Sequence, residues 1–580
     1  MFLSCMIFGV LCSVLSAFFL NTLLKKHHIQ IPVSIWYLLW ILPYLAGGFH
    51  TASAAITVGA ILLSLYRTYS QAQSLRFVWN TSAIMCLVIP LAYCISPLWA
   101  ADRGMAVFGI LRYLPVILLA FFLMQCTAEQ RGQFLTILPL CGTVMTLISC
   151  MLWALPFAKE TVTVNGRLSG FLQYPNTFAA FLLIGIAVLG TQKFRRRTVF
   201  FCFPVLLAGL FLTGSRTGFL LLLFLLLLIG VYHKKIPVFL PAALFAAMIL
   251  LGTVFIRNGS HITFLGRDIG SLFVRILYYK DALPVILRHP FGTGYLGYRA
   301  LEATFQTSRY TVSFVHNGLL QILLDVGWIP GLLFILAAGK ALFSSRVTPT
   351  AKLALLVLSG HSLLDFDLQF FLFWGILLLC LDWDSGKSIQ IRKHKLPAAF
   401  SAAVILVVSL WLGLGDLFYQ TGNYRKALLI TPFHTDALAE IIKTTSDADE
   451  LDHWADKILA QNPTHSLAYS AKANAAFSRG NVKEMILHKE KAIQYAPYSI
   501  EEYCDYIDKL YIVMGIYMES GDYGSAAFCL EKILSIPSAM ENVAAKTDPL
   551  AYQTGNSTQM SLPDTYQDLL CVLSERNVIS

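Results

Sequence analysis

Long apolar stretches separated by short polar segments dominate the first 415 residues of the chain. Each stretch is close to the roughly 20 residues that a helix needs to cross a bilayer. Fourteen stretches predict membrane-spanning helices, near residues 2–23, 31–47, 50–66, 77–97, 105–124, 133–157, 171–190, 198–213, 217–232, 236–256, 316–339, 350–364, 368–383 and 397–415. The pattern therefore predicts an all-α fold, a polytopic membrane helix bundle of about 12–14 transmembrane helices. The stretch 2–23 has no basic segment before it and no small-residue cleavage site, so we interpret it as a first membrane helix.

Basic clusters between the stretches orient the predicted helices. Clusters at residues 25–26, 195–197, 234–235 and 392–395 should lie in the cytoplasm, because loops on that side carry an excess of Lys and Arg. Counting helices from these clusters places the turn at 214–216, the loop 257–315, the turn at 365–367 and the chain after residue 415 on the outer face. The same count places the N-terminus outside.

Composition excludes a soluble protein. Of the 580 residues, 57% are hydrophobic and only 13% are charged. Residues 1–415 carry 30 Lys and Arg against 11 Asp and Glu, a net +19, whereas residues 416–580 carry 13 against 22, a net −9. This contrast predicts two domains of different kind. Basic loops beside membrane helices explain the positive part without nucleic acid, and the twelve cysteines include no Cys-x-x-Cys. We predict no metal site, no disulfide framework and no cofactor.

The acidic part has a repeated pattern of turns. Gly-Asn or Gly-Asp pairs at 422–423, 480–481 and 521–522 are each followed by alanine, and the prolines at 432, 463, 497 and 537 lie 31, 34 and 40 residues apart. A glycine turn, small residues at a helix crossing and a proline stop at this spacing resemble tetratricopeptide repeats. We predict helical repeats over 416–546 and a polar, poorly ordered tail over 547–580.

Four polar clusters are predicted to meet at the outer face. Their members are Arg167 and Asn176 before one apolar helix, Ser215 and Arg216 between two others, Arg275 and Arg288 in the loop, and His316, Asn317 and Asp325 at a helix start, with His361 and Asp365 near a further boundary. The loop carries seven Lys and Arg against three acids, so we expect an anionic group to compensate it. Ionisable groups at a membrane boundary are functional candidates, and a histidine there can act as a general base.

Each cluster also has a structural interpretation. Pro175 and Asn176 are typical of a helix start, Arg216 of a side chain that reaches the headgroups, and Gly292-x-Gly294 of a simple turn. A single boundary histidine is more often structural than catalytic. The joint occurrence of His316 with several arginines favours function.

The ordered set of motifs is similar to the O-antigen ligase and polymerase superfamily over roughly residues 80–383. The shared residues are Arg167 to Pro175-Asn176, then Gly214-Ser215-Arg216, then Arg275 with Pro290-Phe291-Gly292-x-Gly294, then His316-Asn317 followed by Gln321 and Gly327. The resemblance implies a bacterial, metal-independent glycosyltransferase that uses undecaprenyl-diphosphate-linked glycan outside the cytoplasmic membrane. It implies that His316 is catalytic, that Arg216 and Arg275 bind diphosphate, and that Arg167 and Asn176 match a further site motif. Asp325 stands where glutamate is common.

Physical chemistry agrees with these roles. Guanidinium groups bind phosphate oxygens bidentately and would stabilise a diphosphate leaving group. The expected partners are the lipid-linked glycan, the bilayer, an acceptor glycan, lipid or protein, and a protein bound by the repeats.

Two other functions stay open. One is a flippase or transporter of lipid-linked saccharides, which would carry charges within its mid-membrane helices. The other is a membrane-anchored scaffold, for which so many helices would be excessive. The sequence does not separate ligation from polymerisation.

Overall fold

The computed structural model describes residues 9–13, 31–72, 74–241, 243, 263–264, 267–268, 270–392, 395–553 and 560–579. The predicted first span 2–23 and the span 236–256 lie mostly outside these residues. So do the basic cluster at 25–26 and the start of the loop at 257–262.

The described chain is an all-α membrane bundle followed by a helical tail, which confirms the predicted fold class. The bundle contains α1 (Val33–Trp36), α2 (Thr51–Gln71), α3 (Thr81–Ile95), α4 (Arg103–Leu123), α5 (Ala128–Leu135), α6 (Ile137–Trp153), α7 (Pro175–Thr191), α8 (Arg196–Thr213), α9 (Arg216–Tyr232), α10 (Gly270–Arg288), α11 (Gly297–Phe305), α12 (Gly318–Val326), α13 (Trp328–Phe343), α14 (Pro349–Ser362), α15 (Phe371–Cys380) and α16 (Lys395–Gln420). A π-helical turn (Tyr37–Ile41) and short 3₁₀ turns (Leu42–Tyr44, Ala46–Gly48, Ser96–Leu98, Lys159–Thr161, Gly170–Leu172 and Asp367–Gln369) join them.

Length and composition allow several of these helices to cross a membrane. Within the described residues six helical segments are long and apolar enough, and five shorter apolar helices accompany them. The predicted span 316–339 is different, because it forms two helices that are separated at Gly327. The apolar residues on both sides of Gly327 favoured one continuous helix in the sequence analysis.

Helix α7 forms the centre of the bundle. Every residue from Thr177 to Leu189 is buried, because α6, α8, α9 and α14 pack around this helix. A helix that is apolar on all sides is expected in such a position. Its N-terminus carries Asn176, so the most buried helix places one predicted site residue at the end of the bundle.

A short antiparallel sheet lies at the opposite end of the bundle from Asn176. Strand β1 (Ser74–Trp79) pairs with β6 (Lys387–Arg392), with Ser74 opposite Arg392 and Trp79 opposite Lys387. Two-residue strands form two further pairs: β2 (Thr163–Val164) with β3 (Arg167–Leu168), and β4 (Thr263–Phe264) with β5 (Arg267–Asp268). None of these strands is evident from the pattern of apolar and polar residues.

The tail consists of antiparallel helices. They are α17 (Tyr424–Ile430), α18 (Thr435–Ile442), α19 (Ala448–Gln461), α20 (Ser466–Ser478), α21 (Val482–Tyr495), α22 (Ile500–Glu519), α23 (Tyr523–Ala544) and, after a 3₁₀ turn at Pro549–Gln553, α24 (Asp564–Ile579). Neighbours pack in pairs, and Gly422, Gly480 and Gly521 adopt positive φ at the turns between helices. Paired helices agree with the predicted repeats, while their tetratricopeptide assignment stays a prediction. The expected irregular segment 547–580 includes the helix α24, which packs on α23.

The tail lies against the segment 270–315. Lys280 forms an ion pair with Asp548, Arg299 with Asp436 at 2.7 Å, and Arg309 with Glu501 at 2.7 Å. The amide of Asp548 also donates a hydrogen bond to the Thr307 carbonyl at 2.9 Å. Tail carboxylates therefore neutralise three of the loop cations for which the sequence analysis expected an anionic partner.

Candidate active site at one end of the bundle

His316 lies in the connection between α11 and α12. Its backbone adopts a φ of +54°, a left-handed conformation that is unusual for a residue other than glycine. The Tyr279 hydroxyl donates a hydrogen bond of 2.7 Å to the His316 carbonyl. The His316 ring nitrogen Nδ1 lies 3.0 Å from the Phe314 carbonyl oxygen, which can only accept a hydrogen bond. Nδ1 therefore carries the proton, and Nε2 is left as the basic nitrogen. The local fold therefore sets the tautomer that a general base needs.

Asp365 is the carboxylate that joins the predicted site residues. It lies in the turn between α14 and α15, with its side chain 1% exposed. Its Oδ2 accepts from Arg275 Nη2 at 3.1 Å and from Asn176 Nδ2 at 2.8 Å. Arg275 Nη1 also donates to the Leu364 carbonyl at 2.5 Å. Helices α7, α10 and the α14–α15 turn thus converge on one buried carboxylate.

Arg167 extends this network toward the start of α9. Its Nη2 donates to Asn176 Oδ1 and its Nε to the Thr213 carbonyl, both at 2.7 Å. Ser215 caps α9 by accepting from the Gly218 amide at 3.1 Å, and Arg216 is the first residue of that helix. The motifs around residues 167, 176, 215 and 216, which are distant in sequence, therefore meet at one end of the bundle.

Asn317 fixes the start of α12 beside His316. Its Oδ1 accepts from the amides of Leu319 and Leu320 at 3.0 Å, and its Nδ2 donates to the Leu363 carbonyl at 2.8 Å. Asparagine is a preferred N-cap because its side chain satisfies otherwise unpaired amides. Asn317 therefore ties the His316 segment to the α14–α15 turn that carries Asp365.

The charges of this cluster shift the titration of its members. Burial lowers the pKa of His316, and Arg275 acts in the same direction while Asp365 opposes it. Burial alone would raise the pKa of Asp365, but Arg275 and His316 outweigh it and lower that pKa below its usual range. For Arg275, burial is likewise outweighed by Asp365, which raises its pKa. At neutral pH His316 is therefore a neutral base beside a charged Arg–Asp pair.

Two predicted residues, Asp325 and Arg288, lie elsewhere, and a third, His361, lies behind the cluster at the end of α14. Asp325 is fully buried and accepts from Tyr93 and from Gln321, both at 2.8 Å, inside the bundle. Arg288 is exposed at the last residue of α10, about 20 Å along that helix from Arg275. His361 is buried and contacts Asp367 at 2.6 Å, and its Nε2 has no partner among the described residues.

The Pro290-Phe291-Gly292-x-Gly294 motif has a structural explanation. Gly292 and Gly294 have φ of +78° and +84°, and the Gly294 amide donates to the Asp325 carbonyl at 2.9 Å. A Cβ atom at Gly292 would lie 2.4 Å from that carbonyl oxygen. The motif therefore docks α10 closely on the end of α12.

Aromatic residues around His316 were missed by the sequence analysis. Phe366 packs edge-on against the His316 ring at 4.9 Å between centroids and lies 4.6 Å from Tyr174. Tyr279 anchors the His316 backbone. In the sequence these rings are inconspicuous among 65 Phe and Tyr residues, although Tyr174 and Tyr279 stand inside the motifs.

The helix bundle and this site define a multi-pass membrane protein with a histidine–arginine cluster at one end. Residues 200–336 match a protein-family model described as O-antigen ligase. The match includes Ser215, Arg216, Arg275 and His316 and confirms the resemblance that the motifs indicated. The matched segment, 137 of the 580 residues, is similar to the O-antigen ligase superfamily, and the match supports glycan transfer in a membrane in general. No match to an individual curated protein was found.

Proposed function

We propose that the protein transfers a glycan from undecaprenyl diphosphate to an acceptor hydroxyl at the outer face of the cytoplasmic membrane, with His316 as general base and no metal ion. The observation that carries this proposal is the joint placement of a neutral His316 and an arginine cluster at one end of the bundle. The family match supports glycan transfer in general. The donor, the acceptor side and these residue roles are our proposal.

The chemical step is a displacement at the anomeric carbon of the donor. The acceptor hydroxyl gives its proton to His316 Nε2, and its oxygen forms a bond to the anomeric carbon. The bond from that carbon to the diphosphate oxygen breaks, and its electron pair leaves on the diphosphate. A base with a lowered pKa stays unprotonated at neutral pH and is ready for this transfer.

The arginines would stabilise the departing diphosphate. Arg275 uses two of its five N–H groups for Asp365 and Leu364, which leaves donors for phosphate oxygens. Arg167 joins this network through Asn176, which also contacts Asp365, and we assign a further guanidinium group to Arg216 at the start of α9. Donors fixed in advance in a partly dehydrated place stabilise developing charge strongly. The described residues contain no group of three or more His, Cys, Asp and Glu side chains suited to a metal ion.

Topology follows from the same proposal. The tail contacts the segment that carries the site, so tail and site share one face of the membrane. We propose the outer face, as the basic clusters predict. Cys571 is exposed, whereas Cys529 is buried, so Cys571 is the better reporter. A membrane-impermeant maleimide should label Cys571 from outside in intact cells, and labelling only after lysis would overturn the orientation.

Reconstituted transfer tests the activity itself. The purified protein, lipid-linked glycan and acceptor should give longer glycan with release of undecaprenyl diphosphate, and transfer should persist in chelator. A flippase would move the lipid-linked glycan across vesicles without consuming it. Loss in chelator that a divalent ion restores would overturn the metal-free step.

A further inference from the structure

A cavity lies between the membrane bundle and the tail, close to His316. Its volume is about 260 Å³, and its walls come from the connection before α2, the start of α4, α11, the segment 313–314 and the end of α16. Asp436 of α18 closes it from the tail side and is held by Arg299 at 2.7 Å. The tail therefore contributes one side chain, Asp436, to a wall that is otherwise formed by the bundle and its loops.

The walls combine aromatic rings with polar side chains. Phe49, Tyr295 and Phe314 supply rings, while Asp416 and Gln420 supply a carboxylate and an amide. A sugar ring presents C–H groups on one face and hydroxyls around its edge, so it fits such a mixture of stacking surfaces and hydrogen-bonding groups. The volume is below the roughly 300–1,000 Å³ of drug-sized sites, which suits the end of a saccharide rather than a long repeat.

A buried cation stands behind two of these rings. The Arg112 guanidinium lies 5.6 Å from the Phe49 ring and 5.5 Å from the Tyr295 ring, and the residue is 5% exposed. Its Nη1 donates to the Phe49 carbonyl at 2.6 Å, whereas its Nη2 has no partner in the described part of the chain. Buried donors normally have a partner, so Arg112 keeps an incompletely paired positive charge directly behind the aromatic wall of the cavity.

A row of rings joins the cavity to the arginine cluster. The row begins at Tyr174, beside Asn176, whose ring centroid lies 4.6 Å from that of Phe366. It continues to Phe314, at 5.6 Å from Phe366, and ends at Phe49 in the cavity wall, at 6.0 Å from Phe314. His316 contacts the middle of this row through Phe366 and the Phe314 carbonyl. The diphosphate arginines and the cavity are thus at opposite ends of a row that has His316 between them.

We infer that this cavity binds the end of the acceptor saccharide and presents its hydroxyl to His316. The inference rests on the proposed function, because the cavity is assigned to the acceptor only if the donor diphosphate binds the arginines at the other end of the row. It gives the tail a defined part in the site, because Asp436 and its partner Arg299 complete the cavity wall.

Cysteine protection in the full-length protein in nanodiscs tests the site. Ser313 lines the cavity and is exposed, and Thr311 is an exposed neighbour outside it, so S313C and T311C form a matched pair. The probe is oligosaccharide released by mild acid from the surface polysaccharide of the native host. At ten times its Kd, it should slow maleimide labelling of S313C about tenfold and leave T311C unchanged, with peptides separated by mass spectrometry.

The outcomes separate this inference from the proposed function. Protection of S313C by inorganic diphosphate instead of oligosaccharide would assign the cavity to the donor and overturn the inference. No protection by oligosaccharide, with transfer still lost in His316→Ala, would overturn the cavity alone. Protection without any transfer activity would support the saccharide site and overturn the proposed function.

Kinetics provide a second measurement. Gln420→Ala removes one hydrogen-bonding group from the wall and should raise KM for the acceptor about threefold to tenfold, with kcat and the donor KM retained. The matched control is Gln461→Ala, at the end of α19 and away from the cavity. An unchanged acceptor KM in Gln420→Ala would contradict a saccharide contact at that residue.

Discussion

Two sets of cations in the segment 270–315 have different partners. Arg275 pairs with Asp365 of the bundle, whose side chain is 1% exposed, in the cluster that holds His316. Arg299 and Arg309 pair with carboxylates of the tail, and in the Arg309 pair the two side chains are 43% and 72% exposed. Similar residues 24 and 34 positions apart thus contribute to a buried site in one case and to domain docking in the other.

Burial decides how much each pair contributes. Removing one partner of a buried pair leaves an uncompensated charge and costs about 3–5 kcal/mol. Exposed pairs contribute about 0–1 kcal/mol, because water screens them. A count of positive charges along the loop treats these arginines alike, whereas the structure separates those that face a site from those that face the tail.

The largest effect is expected at His316. His316→Ala removes the proposed base and should lower the transfer rate about a hundredfold to ten-thousandfold, since general bases contribute that much. His289→Ala, at an exposed histidine of the same segment, is the control and should retain activity. Transfer rates are compared after thermal unfolding has shown equal stability, and near-normal transfer by His316→Ala would remove this residue from the mechanism.

Arg275→Lys should lower transfer about a hundredfold, because lysine keeps the charge but lacks the planar pair of donors. Arg309→Lys is the matched control and should change the rate little, since its partner Glu501 is exposed. Single-turnover rates with lipid-linked donor measure both variants. Equal losses of transfer in the two variants would show that the cations of the site and those that pair with the tail do not differ in function. Arg216→Lys provides a second variant in the site and should also lower transfer.

The pH dependence of kcat should sharpen the assignment of His316. Its pKa is lowered in the folded protein, so the neutral base persists as pH falls and the rate should decline only below about pH 6.5. Asp365 raises that pKa by attraction, so Asp365→Asn should move the decline to lower pH. A decline that begins well above pH 6.5 in the unmodified protein would contradict a neutral His316.

The smallest effect concerns docking of the tail. A double-mutant cycle on Arg299→Ala and Asp436→Ala should give a coupling free energy of about 0.2–1 kcal/mol, because both side chains are partly exposed. Thermal unfolding monitored at the tail measures it. The same cycle at Arg309 and Glu501 should give no measurable coupling free energy, because these side chains are more exposed. A larger coupling at Arg309–Glu501 than at Arg299–Asp436 would contradict this ranking by exposure.

Helices were predictable wherever hydropathy alone determines the structure. The spans 217–232 and 350–364 agree within a few residues with α9 and α14, because apolar length is what a bilayer requires. The break at Gly327 was missed since both flanking helices are apolar. The strands β1 and β6 were missed because they are more than 300 residues apart and β1 partly overlaps a predicted span.

The site was predictable in its motifs but not in its contacts. Nothing in the sequence shows that Asp365 joins Arg275 to Asn176, since the three lie on different helices or turns. Asp325 follows His316 on what reads as one amphipathic helix, yet the helix directs it toward Tyr93 inside the bundle. Side-chain direction in three dimensions, which spacing alone does not give, separates the two residues.

The sheet formed by β1 and β6 has a mechanical consequence for the tail. Helix α16 follows β6 in the chain, packs along α2 and continues into the tail. Six backbone pairs thus fasten its far end, while Asp416 accepts from the Ala52 amide at 2.8 Å near its other end. A pull on the tail would be carried by α16 through the bundle to this sheet. The sheet would then share the load with the ion pairs that join the tail to the segment 270–315.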